Sequence, residues 1–406
     1  MQMTSAQTEQ IAPASKKLGE SLGDAPWLAE ARAKGAATAD RLAMPDSRRE
    51  RPWKYLDVSN LRPESFPVVA DGEELTIEAD QSRVTAAKFS ELSGPAADAV
   101  AKHFGTAVSS GLNKLTALHY ALLRDGVVVH VPADVELAEP IRLKRTYAAS
   151  QFAAPHTLIV TGPNSRVTIV QEFHSGDDEI VATPVTEIIP GPGSEIRYYT
   201  LHRWGEKTQV FEHQRFFAEQ RDAALQSLNV FASGQVVKSH IEASLIGRGT
   251  SSELLGVGYG TGHNHADVYT VQDHIGPDTR SDLLVKSTLR DNARAVYYGL
   301  TKVGLGAHNA DANQENRNLL LSKTAKADSD PVLEILTNDV IRVSHGATAG
   351  PVDQEQLYYL QTRGIPYAAA EALLVRAFLG AVLGRIPNEG LRDEFAEIID
   401  ARLERI

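Results

Sequence analysis

Three residues in a glycine-rich part of the chain have the types and spacing of a metal site. His263 and His265 are separated by one residue, and Asp267 follows at the same interval. Side chains two positions apart on a strand point to the same side of it, and imidazole and carboxylate groups are ligands for divalent metal ions. The pattern therefore offers a metal-binding triad, provided that a strand carries it.

The triad is similar to the H-x-H-x-D motif of metallo-β-lactamase-type hydrolases. That motif continues with another histidine directly after the aspartate, where this chain has Val268. The hydrolase fold also needs long helices between its strands, and the sequence around the triad shows none. Two histidines in a glycine-rich turn are more often solvated or packed than bound to a metal. We keep a metal-dependent hydrolase that uses His263, His265 and Asp267 as an alternative interpretation.

A single histidine, His345, lies where the pattern of the sequence changes. Residues 344–350 read Ser-His-Gly-Ala-Thr-Ala-Gly, which is typical of a glycine-rich turn. Apolar residues alternate with polar ones before this segment, and they follow a helical spacing after Asp353. A histidine at such a junction either satisfies a buried carbonyl group or takes part in chemistry. The residues by themselves leave both interpretations open.

The chain contains no cysteine. This excludes disulfide bonds, a thiol nucleophile and any thiolate metal site built from this chain alone. The sequence also lacks the G-x-x-x-x-G-K-[ST] phosphate loop and the G-x-S-x-G nucleophile turn. We therefore expect that the chain does not hydrolyse nucleotides by itself.

Strands must position most of these candidate residues. From Val127 to Val303, short runs rich in β-branched residues are separated by Gly, Pro, Asn or Asp, and no amphipathic helix of ordinary length interrupts them. Short strands with weak self-similarity favour a parallel β-helix over a long double-layered sheet, because a solenoid grows by stacking coils. The amide-rich run 311–318 is then predicted to form ladders that stack along the coils.

Helices are predicted on both sides of the β region. Asn113 is a cap signal for an N-terminal helix, and Asp353 begins a C-terminal helical pattern that stops at residues 364–366, Gly-Ile-Pro. Such helices would cover the ends of a solenoid. The predicted parts are an N-terminal mixed and helical region (1–125), a parallel β-helix core (126–350) and a C-terminal helical domain (351–406).

Composition narrows the classes of partner. The chain has 406 residues and a net charge of −11 with the two signs interspersed, which argues against nucleic acid as the main partner. Residues 1–25 have no apolar segment of the signal-peptide type. The most apolar late stretch, 368–383, is interrupted by Glu371 and Arg376, which indicates a buried helix rather than a membrane span. We expect a soluble, cytoplasmic protein.

Several segments, taken together, resemble the SufB/SufD family of the SUF iron–sulfur cluster assembly system. The match is dense from residue 265 to residue 365, weak through the earlier β region, and present again near residue 53. The segments are Trp53-Lys-Tyr-Leu-Asp57, His265-Ala-Asp267, Asp273-His-Ile275, Asp278-Thr-Arg-Ser281, Gly299 with Val303, Asp311-Ala-Asn-Gln314, Asn318-Leu-Leu-Leu-Ser322, Pro331-Val-Leu-Glu-Ile335, Ser344-His-Gly-Ala-Thr348, Glu355-Gln-Leu-Tyr-Tyr-Leu360 and Arg363-Gly-Ile365.

Within the family, the sequence resembles the SufD branch more than the SufB branch. SufB-type chains usually have Glu-His-Glu-Ala where this one has Ser344-His-Gly-Ala347, and a Cys-Asp-Ser-Leu-type segment where this one has Arg317-Asn-Leu319. Many SufD-type chains have a cysteine just before the Ser-His pair, whereas this chain has Val343. A thiolate from this chain is therefore excluded at that position.

The resemblance implies a mostly β fold, with a right-handed parallel β-helix between α-helical N- and C-terminal regions. It also implies a non-catalytic scaffold that pairs with SufB through the β-helix and binds the SufC ATPase through the C-terminal helices. His345 would assist a transient iron or iron–sulfur cluster at the SufB–SufD interface, and the chain alone would hold no cofactor. Residues 357, 358, 374 and 378 (Leu357, Tyr358, Leu374 and Phe378) are the candidates for SufC contact. A homodimeric β-solenoid binding module remains a further alternative.

Overall fold

Two β-sheets face each other along most of the molecule and enclose its main core. The computed structural model describes residues 11–69 and 72–403. The strands are β1 (Glu73–Glu78), β2 (Thr85–Lys88), β3 (Gly126–Val131), β4 (Ile141–Tyr147), β5 (Gln151–Ala153), β6 (His156–Thr161), β7 (Arg166–Ser175), β8 (Ile180–Ala182), β9 (Val185–Ile189), β10 (Glu195–Arg203), β11 (Gln209–Ala218), β12 (Ala224–Ser233), β13 (Val236–Leu245), β14 (Ser251–Gly260), β15 (His265–His274), β16 (Arg280–Leu289), β17 (Arg294–Val303), β18 (Ala310–Leu320), β19 (Lys326–Ile335) and β20 (Val340–Pro351).

Of the described α-helices, two precede β1, two lie between β2 and β3, and three follow β20. Short 3₁₀ turns at Arg51–Trp53, Pro63–Ser65 and Phe89–Glu91 connect the N-terminal elements. None of the described helices has the length and apolarity that crossing a lipid bilayer requires. The α-helices are α1 (Ile11–Leu22), α2 (Pro26–Arg41), α3 (Gly94–His103), α4 (Lys114–Leu122), α5 (Gln354–Thr362), α6 (Tyr367–Leu383) and α7 (Glu389–Leu403).

Successive strands alternate between the two sheets and wind into a parallel solenoid of about eight coils. Sheet A has the order β1-β4-β7-β10-β12-β14-β16-β18-β20, and sheet B has the order β19-β17-β15-β13-β11-β9-β6-β3-β2, with β5 and β8 beside it. Each strand pairs in parallel with the strand one coil away, so that Ser251 of β14 lies opposite Arg280 of β16. The predicted parallel β-helix with helical N- and C-terminal regions is confirmed. The expectation that helices cover both ends was wrong at the C-terminal end, because α6 and α7 pack on the outer face of sheet A and leave the last coil uncovered.

The turns from sheet B to sheet A share one backbone feature. From β3 to β18, each of these turns contains one residue with φ between 52° and 73°, and its type is always Asp, Asn or Gly. These are the residue types that adopt the left-handed conformation most easily. The side chains also stack: Asn164 donates to Asp134 at 3.1 Å, and Asn309 donates to Asp278 at 3.0 Å. The positions are Asp134, Asn164, Gly193, Asp222, Gly249, Asp278 and Asn309.

The interior between the sheets changes along the solenoid. In the early coils it is apolar and aromatic: Phe173 and Trp204 are at most 1% exposed and stack with their ring centroids 5.1 Å apart. Strand β18 instead directs Ala312, Gln314, Asn316 and Asn318 inward, and all four are buried. The predicted amide-rich segment therefore lies in the interior of the last coils.

The N-terminal elements close one end of the solenoid. Strand β1 pairs antiparallel with β4, and β2 pairs antiparallel with β3. Asn113 caps α4 as predicted, because its side chain accepts from the Thr116 backbone N–H at 3.0 Å and its own N–H donates to the Thr116 hydroxyl. Strands β1 and β2 belong to the two sheets although they precede residue 126. The division of the chain into regions 1–125, 126–350 and 351–406 stays a prediction.

The C-terminal helices cover the outer face of sheet A. Val375 and Leu379 of α6 and Phe395 of α7 pack on a row of apolar side chains that includes Leu255 and Leu284. Charged groups fix the helices at the rim of this contact. Arg142 of β4 donates to both carboxylate oxygens of Glu394 at 2.9 and 2.7 Å, and Lys286 donates to the backbone carbonyl of Phe378.

Candidate functional site

His345 lies on a strand and not in the turn that the sequence predicted. Residues 344–350 are the middle of β20, a twelve-residue edge strand of sheet A. The prediction failed because Gly346 and Gly350 have a low preference for strands in general. Here no atom lies within 4 Å of the position that a Cβ would occupy on either glycine. The strand therefore loses no packing by having glycine at these two positions.

The face of His345 follows from its register. His345 is paired with Gln314 of β18, and paired residues on parallel strands point to the same side of the sheet. Gln314 is 0% exposed inside the solenoid. No strand lies beyond β20 in its sheet within the described residues, and His345 is exposed. The imidazole is therefore on the inner face of an uncovered last coil, which removes the interpretation that it satisfies a buried carbonyl.

The last coil presents two unpaired strand edges. Strand β19 is the terminal strand of sheet B, and β20 is the terminal strand of sheet A. Three large apolar side chains close to these edges are exposed: Ile335 by 43%, Leu336 by 49% and Ile341 by 63%. Unpaired backbone groups next to exposed apolar side chains form a surface on which another strand can pair. We call this surface the open end.

A column of buried polar groups runs behind the open end. The Thr301 hydroxyl lies between two amide oxygens, 2.9 Å from that of Gln314 and 3.1 Å from that of Gln272, and it can donate to one of them at a time. Nearer to the end, Ser329 donates to Asn316 at 2.6 Å, and Asn318 donates to the same amide oxygen at 2.7 Å. Each of these six side chains makes at least one hydrogen bond, although Nε2 of Gln314 has no partner, so the inner face next to His345 is polar.

A buried histidine lies deeper in the same part of the solenoid. His274 is 0% exposed, and its ring nitrogens lie 2.8 Å from the Thr279 hydroxyl and 2.7 Å from the Ser281 hydroxyl. Burial disfavours the charged imidazolium and lowers the pKa of His274 to about 4. This histidine is therefore neutral at pH 7 and belongs to the folded interior.

The predicted SufC-contact residues differ in how far the fold exposes them. Leu357 is 1% exposed and packs with Val352 and Ala370, so it cannot reach a partner unless α5 moves. Leu374 and Phe378 are half-buried against the helices and sheet A. The side chains of these three residues therefore mainly face the protein's own core.

Tyr358 is the exception in that set, with 69% of its surface exposed. Three other large side chains on α5 and α6 are also exposed: Tyr359 by 57%, Tyr367 by 51% and Leu373 by 43%. We call these four residues the tyrosine patch. Three of them were not predicted as contact residues, because helical periodicity alone does not show which side of a helix is covered.

The H-x-H-x-D residues do not form a metal site. His263 is exposed in the turn before β15, whereas His265 and Asp267 lie on the strand itself. The Asp267 carboxylate is 1% exposed and accepts from the Lys238 ammonium group at 2.8 Å. An ion pair with lysine thus takes the place of the proposed metal contact, and the hydrolase alternative has no support.

A different group of residues does bring ligand atoms together. Among the described residues, His213, His240 and Glu242 each offer one ligand atom, and these atoms lie within 4.8 Å of one another. These three residues show no recognisable metal-binding spacing in the sequence. The two histidines are one coil apart in the chain, and only the register of β11 with β13 places them side by side.

The fold and the open end define the class of protein: a parallel β-solenoid with helices at both termini of the chain and one uncovered terminal coil. The model for the family described as "SUF system FeS cluster assembly, SufBD core domain" matches residues 144–378. The model for the "SufBD protein N-terminal region" matches residues 57–143. The chain therefore belongs to the SufB/SufD family of the SUF system.

Individual relatives agree with this assignment. The iron–sulfur cluster assembly protein SufD of Bacillus subtilis is 30% identical over 312 residues, which cover 76% of this chain and 71% of the relative. An iron–sulfur cluster assembly SufBD family protein of Mycobacterium tuberculosis is 28% identical over 72% of this chain and 75% of its own length. One from a Synechocystis strain is 24% identical over 87% of both chains.

Proposed function

We propose that this chain is a SufD-type accessory subunit of an iron–sulfur cluster assembly complex and is not itself an enzyme. The observation that carries the proposal is the open end, where two unpaired edges flank an exposed histidine on the inner face. Family membership and the similarity to the SufD protein of B. subtilis support the same function. The complex would work in the cytoplasm.

The open end is the proposed contact with a SufB-type solenoid. Unpaired edge strands associate by adding strands from a partner, and exposed apolar side chains stabilise that contact once they are buried. Strand β20 has twelve residues and β19 has ten, so both edges are long enough for a continuous ladder. The partner would continue the two sheets beyond the last coil.

His345 is the proposed assisting residue at that contact. Clusters are held mainly by thiolates, and histidine replaces cysteine in some of them. Because this chain has no cysteine, every thiolate must come from the partner. The iron or nascent cluster is cargo that passes through the contact, and the imidazole would contribute at most one ligand to it.

The tyrosine patch is the proposed contact with a SufC-type ATPase. Tyrosine is enriched in protein interfaces because its ring is apolar and its hydroxyl can still form a hydrogen bond. Helix α6 packs on sheet A, so a force applied to the patch would reach the solenoid through the contacts of Phe378 and Lys286.

The test is co-purification of the chain with cognate SufB-type and SufC-type proteins, using one variant for each surface. Ile341→Asp places a charge at the open end and should abolish association with the SufB-type protein only. A double variant, Tyr358→Ala with Tyr359→Ala, should weaken association with the SufC-type protein only. Each variant is the control for the other, since both change exposed side chains.

Two outcomes would contradict the proposal. A wild-type chain that binds neither protein in any nucleotide state is not a subunit of such a complex. A chain that instead forms a stable dimer with itself, and loses that dimer in Ile341→Asp, would favour the homodimeric binding module.

For His345, the expected result is that His345→Ala still forms the complex but assembles less cluster, measured as iron and sulfide per complex under anaerobic conditions.

A further inference from the structure

We propose that His213, His240 and Glu242 form a binding site for a divalent transition-metal ion, either Fe²⁺ or Zn²⁺, on the outer face of sheet B. This site is on the side of the solenoid that the N-terminal segment covers. It is separate from the open end and does not depend on the proposed function.

The register of two strands creates the site. His213 of β11 lies directly opposite His240 of β13, and their ring centroids are 4.0 Å apart. Glu242 lies two residues after His240 and therefore points to the same face. Its Oε2 atom is 3.9 Å from Nε2 of His240. Two imidazoles and one carboxylate thus converge from two neighbouring strands.

The histidines lack partners that would explain their burial. His213 is 4% exposed, and its Nε2 atom has no hydrogen-bond partner; the Nε2 atom of His240 is also buried without one. A buried polar atom without a partner is unfavourable. A neutral imidazole with a free ring nitrogen is the form that binds metal ions.

The carboxylate is already oriented for the same purpose. Arg215 pairs with the Oε1 atom of Glu242 at 2.8 Å, and the Ser244 hydroxyl donates to that same oxygen at 2.9 Å. These two contacts occupy Oε1 and leave Oε2 on the side of the histidines. Partners that hold the second oxygen of a ligand are a regular part of metal sites, because they fix its direction.

The charges around the site allow a cation. Arg215 faces the site, but its charge is balanced by Glu242. Lys238 donates to the Asp267 carboxylate at 2.8 Å and to the Pro52 carbonyl, and Lys302 lies 4.0 Å from the Asp273 carboxylate. Arg215, Lys238 and Lys302 therefore each have a carboxylate partner.

Space and geometry fit a small hydrated ion. A cavity of about 170 Å³ opens beside the two histidines, with Trp53, Lys238 and Tyr269 in its wall. Metal–nitrogen and metal–oxygen bonds are about 2.1 Å long, so ligand atoms at one ion lie about 3.5 Å apart. The three side chains need to approach one another by about 1 Å. Two imidazoles and a carboxylate with open positions are typical of Fe²⁺ sites and of non-structural Zn²⁺ sites.

The test uses the full chain, purified free of metal, and Co²⁺ as the spectroscopic probe. Titration should give about one Co²⁺ per chain with visible d–d bands, and Zn²⁺ or anaerobic Fe²⁺ should displace the probe. We expect His240→Gln, His213→Gln and Glu242→Gln each to weaken binding at least tenfold. The relative displacing strength of Zn²⁺ and Fe²⁺ decides between the two ions.

The matched control is His308→Gln. His308 also lies next to a carboxylate, with Nδ1 2.9 Å from Asp339, but this pair is exposed and has no second histidine. Its substitution should leave Co²⁺ binding unchanged. Wild-type binding by the His213, His240 and Glu242 variants would overturn the proposal, as would loss of binding in His308→Gln. If His213→Gln does not fold, His240→Gln decides, because that side chain is 23% exposed.

Discussion

The two ends of the solenoid are built in opposite ways. At the N-terminal end, β1 and β2 are short and antiparallel to their neighbours, and β1 carries exposed charges at Glu74 and Glu78. At the C-terminal end, β19 and β20 are long and parallel, and they expose apolar side chains such as Ile341. Short, charged edge strands resist pairing, and long apolar ones invite it. One end is therefore closed and the other is suited to a partner.

The interior shows the same difference. Near the closed end, the space between the sheets is filled by stacked aromatic rings, which stabilise the fold by burial and close packing. Near the open end, it is filled by polar side chains: Thr301 donates to Gln314, and Asn316 donates to the Val285 carbonyl. Stability should therefore depend mainly on the first coils, and the last coil should tolerate change.

The largest effect is expected for Phe173→Ala. Phe173 is 0% exposed and stacks on Trp204 and, at 5.9 Å, on His202. Removal of the ring leaves a cavity among groups that cannot collapse, so the free energy of unfolding should fall by about 3–5 kcal/mol. Denaturant unfolding followed by circular dichroism measures this change. Phe173→Leu is the control and should lose less than half as much, and an equal loss would mean that the cavity is not the cause.

Acid should destabilise the protein through His274. Its pKa is about 4 in the folded chain and 6.5 when it is unperturbed. Between these values the unfolded chain binds a proton that the folded chain does not bind, so the free energy of unfolding falls as the pH falls from 6.5 towards 4. The loss is on the order of 3 kcal/mol at the lower limit. Unfolding curves at several pH values should be flatter for His274→Gln, and an unchanged slope would contradict this assignment.

A smaller effect is expected for Thr301→Val in the polar column. The substitution keeps the shape but removes the hydroxyl that bridges Gln272 and Gln314. At least one buried amide oxygen then lacks a partner, which should cost about 1–3 kcal/mol. Thr301→Ser retains the hydroxyl and should lose less. If the valine variant is as stable as the wild type, the column does not hold the last coils together.

The smallest effect on stability is expected at the open end. His345 is exposed and makes no hydrogen bond in the described part of the chain, so His345→Ala should change the free energy of unfolding by less than about 0.5 kcal/mol. A thermal unfolding experiment on the isolated chain tests this. A large loss of stability would show that His345 is a structural residue and would remove the contrast between the two ends.

The sequence predicted the elements that depend on local patterns. Asn113 was identified as a helix cap because its partner, Thr116, is only three residues away. The parallel solenoid was predicted from short strands separated by turn residues. The repeat itself was missed, although Asp, Asn or Gly recurs once per coil from Asp134 to Asn309. Its spacing varies by a few residues and its residue type changes, so no fixed period shows in the sequence.

The candidate sites depended on contacts that local patterns do not contain. His345 was placed in a turn because glycines surround it, and only its pairing with Gln314 shows that it lies on a strand facing inward. His213 and His240 meet through the register of two coils. The H-x-H-x-D pattern failed for the same reason, since Lys238 from the neighbouring strand occupies its carboxylate.

The closed N-terminal end also limits how large an assembly can become. If both ends of a solenoid could accept strands, copies would add head to tail and form a filament without a defined length. Here the end formed by β1 and β2 cannot accept the strands that β19 and β20 offer in parallel. If the proposed contact forms, growth by strand addition would stop after one junction, and two solenoids joined at their open ends would form a finite rod. The antiparallel pairing of two short strands would then limit each complex to one such junction.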